Sequence, residues 1–442
     1  MTVTENGKLL GAARAVIELV AAELDLDAHV RLWDGSRVPL GRNATGPFEI
    51  IIADPGVIAS LVRWPSLDRL IQHYIAKRID FTGGTLIDFG QQLYATGRKS
   101  SLRGLSKVKL LRALAPFFRA SPDPTAHIGV FSGDETGKHR RTADNKAYIQ
   151  FHYDLSNEFY ALWLDPEMVY SCAYYTDWTN TLEQAQRDKL EMICRKLRLK
   201  PGETMLDIGC GWGGLVCYAA RKYGVKAHGI TLSERQLEFA RDKVRRLGLE
   251  DQVTLELCDY MEAGGRYDKI ASIGMYEHIG LKNIPDYMRK VRSLLNDDGI
   301  FLNHAISAKA SRSRWWPELR RPEKKAIQKY IFPGGELDDI GHSLQAMEIA
   351  GFEVCDVEGW REHYARTTKL WCERLTERRT EAIAQVGEEK YRIWVAYLAG
   401  VSLAFTRGTL RIFQTVATKS AKGRSPLPPT RADLYRDWGA DR

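Results

Sequence analysis

Between Tyr148 and Lys419 the chain alternates short apolar stretches with amphipathic ones, and this alternation restricts the fold more than any other feature. The strand candidates are Thr204–Ile208, Lys226–Ile230, Thr254–Cys258, Lys269–Ile273 and Ile300–His304. Helical patterns such as Ser233–Leu247 separate them. Because repeated βαβ units place their strands in parallel, the pattern predicts an α/β protein with a mostly parallel, doubly wound sheet.

A glycine-rich segment, Met205–Gly214, lies where the first of these strands ends and a helix begins. Glycine lets the backbone turn tightly and lets N–H groups approach a ligand closely. The run is GxGxG with an Asp two residues ahead, whereas a bare GxGxxG would suggest a dinucleotide. It resembles the loop that binds S-adenosylmethionine in the Rossmann-like domain of class I methyltransferases; the alternative is a structural turn without a ligand. The predicted contacts are Asp207, Gly209, Cys210, Gly211 and Gly213.

The next two strand ends supply further candidates, since ligands of such sheets bind at the carboxyl ends of the strands. These candidates are Thr231, Leu232, Ser233 and Gln236 after the second strand, and Asp259 and Tyr260 after the third. Ser233 is equally well placed to be a helix N-cap. The ring of Tyr260 would stack on an adenine, unless it is an ordinary core residue.

Acid–base residues and aromatic residues occur near the same sheet edge. Glu277 and His278 follow the fourth strand, and His304 ends the fifth. A lone histidine there is usually structural, but two titratable types beside a cofactor loop favour a catalytic role. The aromatic blocks Phe151–Tyr160 and Tyr170–Tyr175 either fill the core or line an apolar pocket that stabilises a cation.

The segment Arg98–Arg119 carries seven basic residues and no acidic one, with apolar residues at three- and four-residue steps. This pattern predicts a basic amphipathic helix that lies on anionic lipid, or else an ordinary helix with one solvated face. The net charge of +8 also favours an anionic partner. Nucleic acid is not expected, because the sequence has no RNA- or DNA-binding motif.

The length of 442 residues predicts two domains. We expect a small N-terminal α/β domain over 1–120, a linker over 121–147, the catalytic domain over 148–420 and a Pro- and Arg-rich tail over 421–442. No apolar run is long enough to span a bilayer, and the N-terminus does not read as a secretory signal. The seven cysteines have neither disulfide-framework nor zinc spacing, which favours a reducing cytoplasm and no bound metal.

More than half of the chain resembles the cyclopropane-fatty-acyl-phospholipid synthases and, more distantly, the mycolic acid cyclopropane synthases. The matching segments, in the family's order, are Tyr153–Tyr160, Val169–Tyr175, Leu206–Gly214, Gly229–Gln236, Tyr276–Gly280, His304–Ile306 and His363–Thr367. The YDLSNEFY and YSCAYY blocks make the match specific, because they are not general methyltransferase features. The N-terminal part is similar only in outline to the family's lipid-facing domain.

The resemblance implies that a cis alkene of an acyl chain in a membrane phospholipid attacks the sulfonium methyl and becomes a carbocation. A bound bicarbonate ion then takes a proton, and a cyclopropane ring closes. The implied anion site comprises Cys172, Glu277, His304, Ile306 and Tyr364, with backbone N–H groups from Cys172 and Ile306. Tyr170 and Ser171 join the cofactor contacts. The implied location is the cytoplasm, at the inner surface of the membrane.

Two departures from the family pattern matter. Ser156 replaces a usual glycine, and Val401 stands where many members have a cysteine, so we expect no covalent catalysis. The motifs do not separate ring closure from methyl or methylene addition to a lipid alkene, or from methylation of an amine. A non-catalytic lipid-binding protein is the alternative of another class. A homodimer is expected only by analogy with such families.

Overall fold

The computed structural model describes residues 3–97, 106–122, 155–310, 328–331, 333, 335–419 and 425–436. These residues form two compact units. The first takes its residues from 1–130, 318–330 and 376–403, and the second from 131–317, 331–375 and 404–442. Segment 376–403 thus packs with the first unit, although the sequence-based boundaries assign it to the catalytic domain. The predicted linker lies almost entirely outside the described residues.

The elements are as follows. The helices are α1 (Val3–Leu24), α2 (Pro55–Arg63), α3 (Leu67–Ile75), α4 (Leu86–Gly97), α5 (Lys107–Leu114), α6 (Asn157–Ala161), α7 (Leu182–Leu197), α8 (Gly214–Tyr223), α9 (Glu234–Leu247), α10 (Ile284–Leu294), α11 (Ile340–Ile349), α12 (Arg361–Glu377) and α13 (Arg379–Thr406, interrupted at Gly387). The strands are β1 (Ala28–Arg31), β2 (Arg37–Pro39), β3 (Phe48–Ile52), β4 (Ile79–Thr82), β5 (Thr204–Ile208), β6 (Lys226–Thr231), β7 (Val253–Leu257), β8 (Tyr267–Ile273), β9 (Leu295–Ala308), β10 (Asp338–Asp339), β11 (Glu353–Gly359) and β12 (Leu410–Thr418). No helix within the described ranges is long and apolar enough to cross a membrane.

The first unit is built on a four-stranded mixed sheet in the order β2-β1-β3-β4. Strands β1 and β3 are parallel, and the other neighbours are antiparallel. Helix α1 packs its apolar residues on this sheet, and Leu9, Ala13 and Ile17 are buried there with Val30 and Val38. The unit is therefore a small α/β domain, as its sequence predicts.

The second unit holds a larger sheet in the order β11-β12-β9-β8-β5-β6-β7, with the short β10 beside β9. Strands β9, β8, β5, β6 and β7 run parallel, whereas β12 is antiparallel to β9 and β11 is antiparallel to β12. Alternate side chains of β5 enter different cores, because neighbouring residues of a strand face opposite sides: Met205 joins one apolar cluster and Leu206 the other. The predicted α/β fold with a mostly parallel sheet is confirmed.

Candidate active site

The glycine-rich turn joins the end of β5 to the start of α8. Gly209, Gly211 and Gly213 have φ of +83°, +54° and +78°, in the left-handed region that other residues adopt at a cost. The N–H groups of Gly209 and Cys210 both donate to Ile230 O at 2.9 Å, which fixes the turn to the neighbouring strand β6. The glycines therefore shape the backbone here, as their spacing predicts.

A cleft of about 950 Å³, partly open to solvent, lies beside this turn. Most of the predicted cofactor residues line it, namely Tyr170, Ser171, Asp207, Gly209, Cys210, Gly211, Thr231, Leu232, Gln236 and Tyr260. They come from the ends of β5 and β6, from the segment after β7 and from the segment before α7. The sheet topology thus brings together residues that are up to 90 positions apart in the chain.

Three predicted cofactor residues are absent from the lining of the cleft and have local structural roles. Ser233 Oγ caps α9 by accepting from Gln236 N at 3.4 Å. Asp259 Oδ1 accepts from Met261 N at 2.9 Å and closes a turn. Gly213 is the N-terminal cap of α8 and lies against Ala240. Cofactor contacts from these three residues stay a prediction.

Two buried titratable side chains line the cleft, Asp207 from β5 and Lys189 from α7. Asp207 is 2 % exposed, its Oδ1 has no hydrogen-bond partner among the described residues, and burial raises the pKa of its carboxyl to about 7 although nearby Lys189 opposes the shift. Lys189 Nζ donates to Ser171 Oγ at 2.8 Å, and burial lowers the pKa of its ammonium to about 8. Sequence analysis missed Lys189. It falls seven residues after buried Leu182, two turns along one face of α7, and this spacing could have revealed it.

None of the predicted anion-site residues lines the cleft; Cys172, Glu277, His304 and Tyr364 are buried, and Ile306 is partly buried. Glu277 lies on the turn after β8, between the cleft residues Met275 and His278. Its Oε1 accepts from Ile306 N at 2.5 Å, whereas its Oε2 has no partner among the described residues. Burial raises the pKa of the Glu277 carboxyl to about 7. Ile306 N, which the resemblance assigns to the anion, is thus bonded to Glu277 in this structure.

His304 precedes Ile306 by two residues on β9, so their side chains share one face of the strand. Its Nδ1 is 3.0 Å from Gln414 Nε2, and its Nε2 has no partner among the described residues. Burial, together with nearby Lys189, Lys196 and His363, lowers the pKa of the imidazole well below its usual value of 6.5. The ring is therefore neutral at physiological pH.

Trp360, which sequence analysis did not single out, connects the remaining members of the set. Its ring meets that of His304 edge-on, with centroids 5.0 Å apart, and its carbonyl accepts from Tyr364 N at 3.1 Å and faces Cys172 Sγ at 3.9 Å. Burial raises the pKa of the Cys172 thiol well above its usual value, so the sulfur is a neutral group and not a nucleophile.

The sequence left open whether the aromatic blocks fill the core or line a pocket, and the structure shows examples of both. Phe159, Tyr160 and Trp163 are fully buried and pack on one another edge-on or tilted, as core residues do. Tyr170 packs against Trp163 but also lines the cleft. Residues 151–154 of the first block lie outside the described residues.

The parallel sheet, the glycine turn and the cleft at the strand ends define a class I S-adenosylmethionine-dependent methyltransferase. The family model described as mycolic acid cyclopropane synthetase matches residues 139–415, and the chain belongs to that family. The resemblance seen in the sequence is therefore confirmed, and the chain is an enzyme of this family.

Three relatives show how far the similarity extends. A probable fatty acid methyltransferase of Pseudomonas putida is 38% identical over 93% of this chain and 97% of its own length. The cyclopropane-fatty-acyl-phospholipid synthase of Escherichia coli is 38% identical over 61% of this chain and 67% of its own length. The crystal structure of the mycolic acid cyclopropane synthase CmaA1 complexed with SAH and CTAB superposes with a TM-score of 0.59, at 34% identity over 62% of this chain and 98% of that one.

Proposed function

We propose that this enzyme converts the cis double bond of unsaturated acyl chains in membrane phospholipids into a cyclopropane ring. An alkene carbon bonds to the transferred methyl carbon as the carbon–sulfur bond breaks, which leaves a carbocation on the acyl chain. Loss of one proton from the transferred carbon then closes the ring. The observation that carries this proposal is that two buried polar atoms, Glu277 Oε2 and His304 Nε2, have no hydrogen-bond partner among the described residues.

The cleft suits S-adenosylmethionine, which supplies an electrophilic methyl group when bound. The glycine turn would bring backbone close to the ligand, and Asp207 Oδ1, which has no partner in the described part of the chain, can accept from an ammonium group. Thr231 Oγ1 is bonded to Gln236 Oε1 at 3.1 Å, which leaves the Gln236 amide nitrogen as a donor for the ligand. The complex of CmaA1 with SAH supports this assignment.

The neighbouring polar atoms suit a small anion such as bicarbonate, which supplies a base when bound. A raised pKa lets the Glu277 carboxyl hold a proton near neutral pH and donate from it, and His304 is a neutral ring. Neutral donors in a dry site hold an anion without adding positive charge near a carbocation. The buried Cys172 thiol is consistent with a mechanism that uses no covalent intermediate.

The first unit offers a surface that suits a lipid bilayer. Helix α5 and the 3₁₀ turn Ala115–Phe118 cover the second half of the basic segment; residues 98–105 lie outside the described part of the chain. Val108, Leu111 and Phe118 are 60, 59 and 49 % exposed and lie close together in the sequence. Lys107, Lys109, Arg112 and Arg119 stand among them. Apolar groups ringed by cations favour binding to anionic lipid, and this supports our proposal that the enzyme works at the inner membrane surface.

A second candidate function is addition of a methyl or methylene group to a lipid alkene without ring closure. The relative from Pseudomonas putida, which matches nearly the whole chain, is described as a probable fatty acid methyltransferase. Both reactions begin with the same cation. Loss of a proton from a neighbouring chain carbon gives a methyl-branched alkene, whereas a 1,2-hydride shift followed by loss of a proton from the transferred carbon gives a methylene group.

The test is to incubate the purified enzyme with S-adenosylmethionine and liposomes of a cis-monounsaturated phospholipid. We expect acyl chains about 14 mass units heavier, one CH₂ group, with the upfield proton resonances of a cyclopropane methylene. Liposomes of saturated lipid are the control. The same mass gain with new methyl or vinylic resonances would establish the second function, and no gain with cofactor bound would contradict both.

The membrane surface has its own test. Leu111→Asp is expected to weaken sedimentation with anionic vesicles, because it places a charge among the exposed apolar groups. Ile349→Asp is the matched control, since Ile349 is 78 % exposed but lies in the other unit. Equal sedimentation of the two variants would contradict the assignment of this surface.

A further inference from the structure

Three polar side chains form a row across the antiparallel end of the large sheet. Glu358 on β11 pairs with Gln414 on β12, and Gln414 pairs with His304 on β9. Directly paired residues of neighbouring strands present their side chains on the same face. Lys196 on α7 covers this row: its Nζ donates to Gln414 Oε1 at 2.8 Å and forms a close ion pair with Glu358.

The orientation of the Gln414 amide follows from the chemistry of its neighbours. A lysine ammonium has only donors, so the amide oxygen must face Lys196. The amide NH₂ therefore faces His304 and donates to Nδ1 at 3.0 Å. Because Nδ1 accepts this bond with its lone pair, the single proton of the neutral ring resides on Nε2.

The surroundings also oppose a second proton on the ring. His304 is 1 % exposed, and its cationic neighbours Lys189 and Lys196 disfavour an imidazolium. Lys196 is 1 % exposed and holds its charge beside the Glu358 carboxylate, with its Nζ 5.2 Å from the centroid of the Trp360 ring. Among the described residues, the Nε2–H of His304 has no hydrogen-bond partner.

We propose that Lys196 and Gln414 are positioning residues that fix His304 as the Nε2–H tautomer, so that it acts as a permanent hydrogen-bond donor to the anion. The identity of the anion rests on the proposed function. The assignment of the tautomer does not depend on that function. It also excludes His304 as the base that takes the proton from the carbocation, since the only lone pair of its ring nitrogens is engaged by Gln414. The proton must then pass to the anion.

The tautomer is read directly from ¹⁵N-histidine NMR of the full-length enzyme, with the His304 signals identified by their loss in His304→Gln. We expect the neutral Nε2–H pattern at pH 7, with Nδ1 unprotonated. A neutral Nδ1–H ring or an imidazolium in the wild-type enzyme would overturn the proposal. This measurement needs neither substrate nor product, so it stands apart from the test of the proposed function.

Gln414→Glu inverts the hydrogen-bond pattern with little change in shape. One carboxylate oxygen still accepts from Lys196, and the other faces Nδ1, which must now carry a proton. We expect loss of the Nε2–H neutral pattern and a fall of about 10²–10³-fold in kcat, with the affinity for S-adenosylmethionine unchanged. An unchanged tautomer, or a changed tautomer with normal kcat, would overturn the proposal.

Two further variants separate positioning from general damage to the fold. Lys196→Met frees the amide to rotate, so we expect a mixture of tautomers and an intermediate loss of kcat; a pure Nε2–H pattern would show that Lys196 does not set the tautomer. Thr415→Val is the control, because Thr415 is equally buried on β12 but faces the other side of the sheet. It should keep both the wild-type pattern and the wild-type rate, and a rate loss as large as that of Gln414→Glu would assign the effect to disturbed packing of the strand.

Discussion

The glycine turn (Gly209–Gly213) and the histidine row (Glu358, Gln414 and His304) belong to the same large sheet but are assembled in different ways. The turn is contiguous in sequence, and its backbone shapes the ligand site at the parallel part of the sheet. The row combines one residue each from β9, β11 and β12 at the antiparallel end of the sheet, and Lys196 of α7 covers it. The comparison teaches that the turn is shaped by local backbone geometry, whereas the row depends on long-range assembly of buried side chains.

The largest expected effect comes from a substitution in the proposed anion site. Glu277→Gln should lower kcat by about 10³-fold, because a neutral amide cannot exchange the proton that the carboxyl shares with the anion site. Cofactor affinity, measured by calorimetry, should survive. Glu238→Gln on the exposed face of α9 is the matched control. Retained turnover in Glu277→Gln would remove this residue from the anion site.

The second effect is a pH dependence of stability that the same carboxyl imposes. The pKa of Glu277 is about 7 in the folded protein and about 4.5 in the unfolded chain, so the folded state holds the extra proton between these values. The free energy of unfolding should therefore fall as pH rises from about 4.5 to 7, by up to about 3 kcal/mol from this group.

Urea unfolding of the wild-type enzyme and of Glu277→Gln at pH 5 and pH 8 measures this contribution. We expect the variant to gain stability relative to the wild type at the higher pH. A constant difference between the two proteins would show that the Glu277 carboxyl ionises normally in the fold.

The third effect comes from a substitution in the cofactor cleft that leaves the histidine row unchanged. Asp207→Asn removes a buried charge that faces the cleft, so we expect S-adenosylmethionine to bind about 10- to 100-fold more weakly, equivalent to about 1.5–3 kcal/mol. At saturating cofactor, kcat should recover most of its value. Asp251→Asn, at an exposed position, is the control. Unchanged affinity in Asp207→Asn would mean that the ligand's ammonium group lies elsewhere.

The smallest expected effect concerns a hydrogen bond that holds the glycine turn in place. Trp212 Nε1 donates to Asn157 Oδ1 at 2.7 Å and so ties the turn to α6. Trp212→Phe should cost about 1 kcal/mol of stability through loss of this hydrogen bond. Thermal unfolding measures that loss, and calorimetry should show cofactor affinity reduced by no more than about fivefold. A larger loss of affinity would show that the indole itself contacts the ligand.

Much of the fold could be predicted because its determinants are local. Strand β5 has the bounds that apolar patterning predicts, Thr204–Ile208, and the glycines that follow it take the left-handed conformations that their spacing implies. The site was predicted less completely. Ser233 caps a helix, which the sequence left open beside a cofactor contact, and Lys189 was missed although its spacing from Leu182 places it on the buried face of α7.

By itself, the sequence determined the α/β class, the cofactor loop and the family, because periodicity and contiguous motifs encode short-range backbone geometry. Only the tertiary structure decided that Ile306 N holds Glu277, that Trp360 joins Cys172 to Tyr364, and that Lys196 orients Gln414 toward His304. These contacts join residues up to 218 positions apart. Strand order determines which of these residues become neighbours. Burial then favours hydrogen bonds between them, because buried polar groups have lost their contact with water.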